Sequence, residues 1–269
     1  MDKMRVEDLL KSPNYNSSYN IIVNAFIHEY DIAKANINAL LQRGVIDKAL
    51  YDTLYSADKS IREKRIGLMI RDNQKIYKEI QAGIMDAKRN LITVNNIDTE
   101  DIVSIKNDAV FIMNKKPDIT KFGLMDFKLK NIYTIYIKIN RYEFYYYYNS
   151  FNQEEKLDVK GISDNKLVIH KKYFMDFLLA LFNTLQVQGI IEAMTMLYNF
   201  GDLYVQRKLD VNYYRKFNSE SNFDLLYEGA VWSSETISDV RMVDIRYNYE
   251  ILRDLYGVLS SFYFKKVKE

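Results

Sequence analysis

The chain has 269 residues, of which 48% are hydrophobic and 28% charged, with a formal net charge of +2. This composition is typical of an ordinary folded protein and excludes a largely disordered chain. The absence of cysteine excludes disulfides and thiolate metal sites, and only His28 and His170 are left for a zinc site or a histidine-based triad. We expect both histidines to be structural and any catalysis to depend on carboxylates.

The N-terminal sequence, MDKMRVEDLL, lacks the apolar core of a signal peptide. The most apolar later stretch, FLLALFNTLQVQGIIEAMTMLYNF, contains polar residues that interrupt it: Asn183, Gln186, Gln188 and Glu192. We therefore expect neither secretion nor a membrane span. Together with the lack of cysteine, this favours a cytoplasmic location.

The first predicted element is a buried strand over residues 21–31, IIVNAFIHEYD. Gly44 is a plausible turn residue. From about residue 47 to residue 91, apolar residues return at helical spacing, at Leu50, Leu54, Ile76, Ile80 and Ile84. This pattern predicts a block of two or three helices.

Strand-like patterns dominate the next part of the chain. Residues 102–113 are strand-like, and IYTIYIKI, YEFYYYY, KLDVKGI and KLVIHKKY predict further antiparallel strands. In YEFYYYY the tyrosines at 145–148 should alternate between the two faces of a strand. Two helices are predicted over about 173–209, broken near Gly189 or Gly201, and a last helix over about 244–264.

The order of strand, helices, strands and helices predicts an α+β fold. We expect residues 1–172 to form an α+β domain with an antiparallel sheet and a helical insertion at about 47–91. Residues 173–269 are predicted to be a helical C-terminal region. These C-terminal helices are a possible surface for a protein partner.

Two aspartates, Asp31 and Asp108, lie inside apolar stretches, where an unpaired carboxylate would be strongly disfavoured. Asp31 could cap the helix predicted in IAKANINALL, and Asp108 could be a turn residue in KND. Alternatively, two aspartates on neighbouring strands could clamp Mg²⁺ ions, which prefer oxygen ligands held by rigid elements. The turn and ligand interpretations of Asp108 are compatible with each other.

The sequence around these aspartates resembles the palm domain of template-directed polymerases of the family-B and reverse-transcriptase kind. YDIAKAN resembles the first palm motif, in which a strand delivers a metal-binding aspartate, here Asp31, before a short turn into a helix. SIKNDAVFI resembles the motif-C hairpin, with Asp108 in the position of its essential aspartate. The separation of 77 residues between them resembles a compact fingers insertion. Over about 21–172, the resemblance implies a palm-like antiparallel sheet.

The resemblance also implies a chemistry and a set of nucleotide contacts. Asp31 and Asp108 would bind Mg²⁺ or Mn²⁺, which would make the chain a possible nucleotidyl transferase. Arg62 and Arg65, one helical turn apart, would neutralise an incoming triphosphate, although such a cationic run is also typical of a solvated helix face. Asn36 stands where other palms carry the aromatic residue that excludes ribonucleotides.

Nucleic-acid contacts are expected from Lys160 and Lys106. Lys160 lies near the end of YEFYYYYNSFNQEEKLDVKGI, which resembles the family-B strands that approach the primer–template. Lys106 and Ala109 stand where other palms carry an accessory acidic residue, and the Lys-x3-Asn-Ser-x-Tyr-Gly fingers motif is absent from the sequence. These departures leave catalytic activity open.

The small net charge hides an uneven distribution. Residues 104–172 contain 13 Lys/Arg against 8 Asp/Glu, whereas residues 218–254 contain 3 against 8. The middle of the chain is therefore the better candidate for contact with a polyanion. Two hypotheses follow: a divergent polymerase-like nucleotidyl transferase or polymerase-derived subunit, and a non-catalytic accessory protein of a phage or mobile element that binds nucleic acid or a protein.

Overall fold

The computed structural model describes residues 4–140, 142–149, 151, 154–161, 171–206, 208–209 and 252–263. Helices alternate with blocks of antiparallel strands, which confirms the α+β class. The chain forms two compact units: unit 1 comprises Met1–Tyr19 and Phe26–Ile132, and unit 2 comprises Asn20–Ala25 and Tyr133–Glu269. The domain boundary predicted at residue 172 stays a prediction.

The helices are α1 (Val6–Leu9), α2 (Ala35–Gln42), α3 (Lys48–Ser56), α4 (Lys59–Asp72), α5 (Gln74–Val94), α6 (Lys171–Val187), α7 (Ile190–Val205) and α8 (252–263). The strands are β1 (Asn14–Asn16), β2 (Ile21–Ile32), β3 (Ile102–Lys106), β4 (Ala109–Met113), β5 (Lys121–Phe122), β6 (Met125–Ile139), β7 (Tyr142–Asn149) and β8 (Glu154–Lys160). Strands β2 and β6 contribute residues to both units.

In unit 1 the strands lie in the order β1, β3, β4, β2, β6. The cross-strand row Tyr15, Ile105, Val110, Tyr30 belongs to a hydrophobic core that also contains Ile80, Ile84 and Leu91 of α5. Because paired residues share a face of the sheet, this row identifies the face that the helices cover. The core is stabilised by apolar burial, worth about 25 cal/mol per Å².

The other face of the unit 1 sheet carries polar residues. One row contains Asn14, Lys106, Ala109 and Asp31, and the next contains Asn16, Ser104, Phe111 and Glu29. We call this side of the sheet the polar face, although Ser104, Phe111 and Glu29 are buried on it. Strand alternation explains it, since Glu29 and Asp31 point away from the side of Tyr30 and Ile32.

In unit 2, β6 pairs with β7 and β7 pairs with β8, all antiparallel. Phe144 and Tyr146 pack on Phe182 of α6, each with ring centroids 5.8 Å apart. Tyr145 points to the other face, where its ring lies 5.0 Å from Tyr136. The predicted alternation of the tyrosines is therefore confirmed.

Most predicted elements are present. The strand over 21–31 is β2, the helical block consists of α3, α4 and α5, and residues 102–113 form the hairpin β3–β4. Gly44 has a positive φ of 67°, and the break between α6 and α7 is at Gly189, whereas Gly201 lies inside α7.

The strand predicted in KLVIHKKY is wrong for residues 171–173, which begin α6, and residues 166–170 lie outside the described residues. Residues 171–173 are followed by a long apolar stretch with helical periodicity. This periodicity outweighs the β-propensity of KLVIHKKY. The last predicted helix is confirmed over 252–263, and its other residues lie outside the described ones.

Candidate functional site

The two aspartates predicted as ligands lie on neighbouring strands of unit 1. Asp31 pairs with Ala109, the residue that follows Asp108, and Ile32 N donates to Asp108 O at 3.2 Å. Asp31 and Asp108 also interact electrostatically. The fold therefore brings together two carboxylates that the sequence separates by 77 residues.

The structure tests the non-ligand interpretation of each aspartate, and the ligand interpretation stays a prediction. Asp31 does not cap a helix, because it belongs to β2 and the N-cap of α2 is Lys34, at a positive φ of 55°. The turn interpretation of Asp108 is confirmed, since Asn107 and Asp108 form the turn between β3 and β4. Asn107 has a positive φ of 48°, which asparagine tolerates better than most residues.

The electrostatic environment of Asp108 disfavours a second negative charge. Burial raises the pKa of Asp108, and the charge of Asp31 raises it further, while a backbone hydrogen bond, Lys130 and Lys88 act in the opposite direction. When both carboxylates of such a buried pair are ionised, a neighbouring cation stabilises them. The site is thus suited to a cationic ligand.

One cation of the protein already lies at this site. Lys130 Nζ lies 3.1 Å from Asp31 Oδ2 and 3.7 Å from Glu29 Oε1. Burial alone would lower the pKa of Lys130, but the hydrogen bond to Asp31 and the neighbouring carboxylates raise it. The Glu29 side chain is only 3% exposed, and its carboxylate also accepts from Asn131. Sequence patterns did not single out Glu29 or Lys130.

A second cation, Lys88 of α5, is buried below the turn that carries Asp108. Its Nζ donates to Asn107 O at 2.8 Å and to Pro13 O at 3.3 Å. Burial lowers the pKa of Lys88 to about 8, although the charge of Asp108 opposes the shift. Sequence reasoning missed this residue, but Ile80, Ile84 and Lys88 follow one helical stripe, so a lysine on an apolar stripe was the available signal.

Two of the three residues predicted to contact a nucleotide, Asn36 and Arg62, lie beside Glu63. Asn36 Nδ2 donates to Glu63 Oε2 at 3.1 Å, and Arg62 Nε lies 3.8 Å from Glu63 Oε1. The Arg62 side chain is buried and donates to Ala57 O at 3.1 Å. Arg65, one turn further along α4, is exposed. Arg65 is therefore the more accessible of the two arginines.

The two predicted lysine contacts lie in different units. Lys106 is on the polar face of unit 1, in the row of Asp31, and its Nζ donates to Asn16 Oδ1 at 2.7 Å. Lys160 belongs to β8 of unit 2, opposite the buried Glu143 of β7. Only Lys106 shares a surface with the aspartates within one unit.

The donor set at the aspartates suits Mg²⁺ or Mn²⁺. Among the described residues, no group of three or more His, Cys, Asp or Glu side chains could hold a metal ion. Mg²⁺ is commonly held by only one or two carboxylates, and waters and substrate phosphates complete its coordination. Asp31 and Asp108 could supply two such carboxylates, so the residues fit the ion.

Comparison with known proteins identifies a family for the chain. A family model described as Bacteriophage PBS1 gene 130 protein matches residues 4–255 of the chain. No curated protein matches the chain. In the part of the chain that the structure describes, every helix is too short or too polar to cross a membrane.

Proposed function

The chain belongs to the Bacteriophage PBS1 gene 130 protein family, and we propose that it is a divergent polymerase-like nucleotidyl transferase, or a subunit derived from one. In this proposal Asp31 and Asp108 bind Mg²⁺ or Mn²⁺, and the substrate is nucleic acid. The phage family gives the setting, since phages encode proteins that copy and process their own nucleic acid.

The observation that carries this proposal is the joint position of the two aspartates. Asp31 lies near the end of β2, and Asp108 lies in the β3–β4 turn directly beside it. Helices α2 to α5 connect these two elements along the chain. A strand aspartate, a helical insertion and an aspartate in the neighbouring hairpin turn support the proposal, because the palm resemblance implies the same order of elements.

The proposed chemistry assigns separate tasks to the protein side chains. A bound divalent cation would supply positive charge for the phosphate oxygens during phosphoryl transfer. The exposed Arg65 would contact the triphosphate, and Lys106 would contact the nucleic-acid backbone from the polar face. Asn36, bonded to Glu63, would contact the sugar.

Calorimetric titration with Mg²⁺ and Mn²⁺ tests the metal site directly. We expect the unmodified chain to bind the ions, and Asp31→Asn and Asp108→Asn to abolish binding. Asp126→Asn is the matched control, because Asp126 is a half-buried carboxylate of the same unit that pairs with Lys128. If both aspartate variants bind as well as the unmodified chain, the metal assignment is wrong.

Incorporation of nucleotides on a primed template tests the catalytic half of the proposal. Because Asn36 is smaller than the aromatic residue it replaces, we expect poor discrimination between ribonucleotides and deoxynucleotides. Asn36→Tyr should then favour deoxynucleotides. Strict deoxynucleotide use by the unmodified chain would contradict the assignment of Asn36.

The second candidate is a non-catalytic role, in which the same fold serves as a phage accessory protein that binds nucleic acid or a protein partner. Lys130 favours it, since an ammonium group 3.1 Å from Asp31 Oδ2 compensates the carboxylate without a metal. In that case nucleic acid would bind in the presence of EDTA, and no nucleotide would be incorporated. Divalent binding that requires both aspartates would instead favour the transferase.

A further inference from the structure

A separate pocket of unit 1 opens beside β2, on the side of the sheet opposite the polar face. It has a volume of about 410 Å³ and is lined by Phe26, His28, Asn114, Lys116 and Ile132. Phe26 and His28 alternate with Ile27 and therefore share the side of Tyr30, whose ring centroid lies 6.4 Å from that of His28. A pocket of this size is within the range of small-molecule sites.

Phe26 gives the pocket an aromatic wall. Its side chain is 66% exposed, which is unusual for a phenylalanine on a strand whose next residues are buried. Exposed aromatic rings bind nucleobases by stacking, and this interaction tolerates any base because each has a π-face. A planar ring is thus the first ligand feature that the pocket favours.

His28 gives the pocket a polar group that is unpaired among the described residues. The residue is 4% exposed, and within the described part of the chain its Nδ1 has no hydrogen-bond partner. Leaving a buried polar atom unpaired costs about 1–3 kcal/mol, and such atoms are rare in folded proteins. Because the His28 side chain lines the pocket, a ligand with a hydrogen-bonding edge that reached this nitrogen would remove the penalty.

The ionisation of His28 is consistent with that role. Burial lowers the pKa of His28, a backbone hydrogen bond with Ile112 opposes the shift, and the charge of Lys116 lowers it further. The imidazole is therefore neutral near pH 7 and has one donor and one acceptor nitrogen. Because the backbone hydrogen bond with Ile112 already engages the ring, only Nδ1 is left to pair with a single group on the edge of a nucleobase.

Lys116 adds a positive charge at the rim of the pocket. Its side chain is exposed, and its charge is felt by His28. Asn114, at a positive φ of 63°, directs the chain away from β4 and donates through its amide to Asp101 Oδ1 at 3.2 Å. An ammonium group beside an aromatic wall and a hydrogen-bonding histidine matches a ligand that combines a phosphate with a base.

We propose that this pocket binds one nucleotide, with its base on Phe26, its hydrogen-bonding edge at His28 and its phosphate at Lys116. The nucleotide is either free in solution or an unpaired nucleotide of a single strand. This site lies apart from Asp31 and Asp108 and does not depend on the proposed transferase activity. It holds its ligand without a metal ion.

Calorimetric titration in EDTA, with the full chain, tests the proposal. The probes are 5′-dAMP, 5′-dTMP and a short oligothymidylate. Phe26→Ala and Lys116→Ala should each weaken binding at least about fivefold, because loss of one stacked ring or one phosphate contact usually has an effect of this size or larger. Phe26→Tyr, which keeps the ring, should restore binding.

Tyr77→Ala and Lys78→Ala are matched controls, because both side chains are exposed on α5 of the same unit. We expect them to bind like the unmodified chain, and thermal unfolding of all variants should be unchanged. Binding of the mononucleotides supports a site for free nucleotides, and binding of the oligonucleotide alone supports a site for an unpaired base. Absence of binding by all three probes, or unchanged affinity in Phe26→Ala and Lys116→Ala, would overturn the proposal.

Discussion

The Lys130 ammonium and the Asp31 carboxylate form an ion pair, with Nζ 3.1 Å from Oδ2. A metal ion at Asp31 would therefore compete with Lys130 for the same oxygen. Because the Lys130 side chain is 53% exposed, the pair contributes only about 0.2–1 kcal/mol.

Removal of this competing charge should strengthen metal binding. We predict that Lys130→Gln raises the affinity for Mg²⁺ and Mn²⁺ by up to about fivefold, as measured by calorimetry. Lys128→Gln is the matched control, since Lys128 lies on the same strand and pairs with Asp126 instead. Equal or weaker metal binding by Lys130→Gln would show that Lys130 does not occupy the cation position.

A second prediction concerns Lys88 and the pH dependence of stability. Its pKa is about 8 in the folded chain, below the ordinary value of 10.5. Between these values the unfolded chain binds more protons, so the free energy of unfolding should rise with pH from about 8 to about 10, by at most about 3 kcal/mol. Denaturant titrations across this range would measure the slope.

The control for this prediction is Lys88→Met, which keeps the length of the side chain and removes the ionisable group. The variant should lose most of the rise in stability between pH about 8 and about 10. A slope equal to that of the unmodified chain would assign the pH effect to other groups.

The two arginines of α4 should behave differently. Arg62 is buried and bonded to Ala57 O, so Arg62→Ala should lower the free energy of unfolding by about 1–3 kcal/mol. Arg65 is exposed, and Arg65→Ala should change stability by less than about 0.5 kcal/mol. Urea denaturation measures both effects, and equal destabilisation by the two variants would contradict the difference in burial.

The same pair of variants tests the triphosphate contact. Arg65→Ala should weaken binding of a nucleoside triphosphate while the fold is intact, since an exposed guanidinium can reach phosphate oxygens. Lys64→Ala, on the neighbouring exposed position, is the control. Unchanged triphosphate affinity in Arg65→Ala would mean that α4 only presents a solvated basic face.

The lysine- and arginine-rich stretch of residues 104–172 should bind nucleic acid through Lys160. Binding measured by fluorescence anisotropy should weaken as salt rises, and Lys160→Ala should lower the salt slope by roughly one unit. Lys156→Ala is the control on the same strand, because Lys156 Nζ is already paired with Asp158 Oδ2 at 3.2 Å. Salt-independent binding would place the partner elsewhere on the protein.

Local patterns in the sequence were sufficient to predict the α+β class and most of the elements. The apolar run IIVNAFIHEYD predicts a buried strand, and the periodicity after residue 47 follows from the helical turn. The turn at Asn107 and Asp108 follows from the tolerance of asparagine for positive φ. These properties depend on residues close together in the chain.

Tertiary structure alone decided which residues meet at the site. Asp31 lies beside Asp108 because β2 pairs with β4 in one register, and a shift of one residue would move Asp31 to the helix-covered face. Lys88 and Lys130 come to the aspartates from α5 and β6, and Arg62 rather than Arg65 is buried because it shares a stripe with the buried Ile66. Register and packing depend on contacts between distant parts of the chain, which local periodicity does not specify.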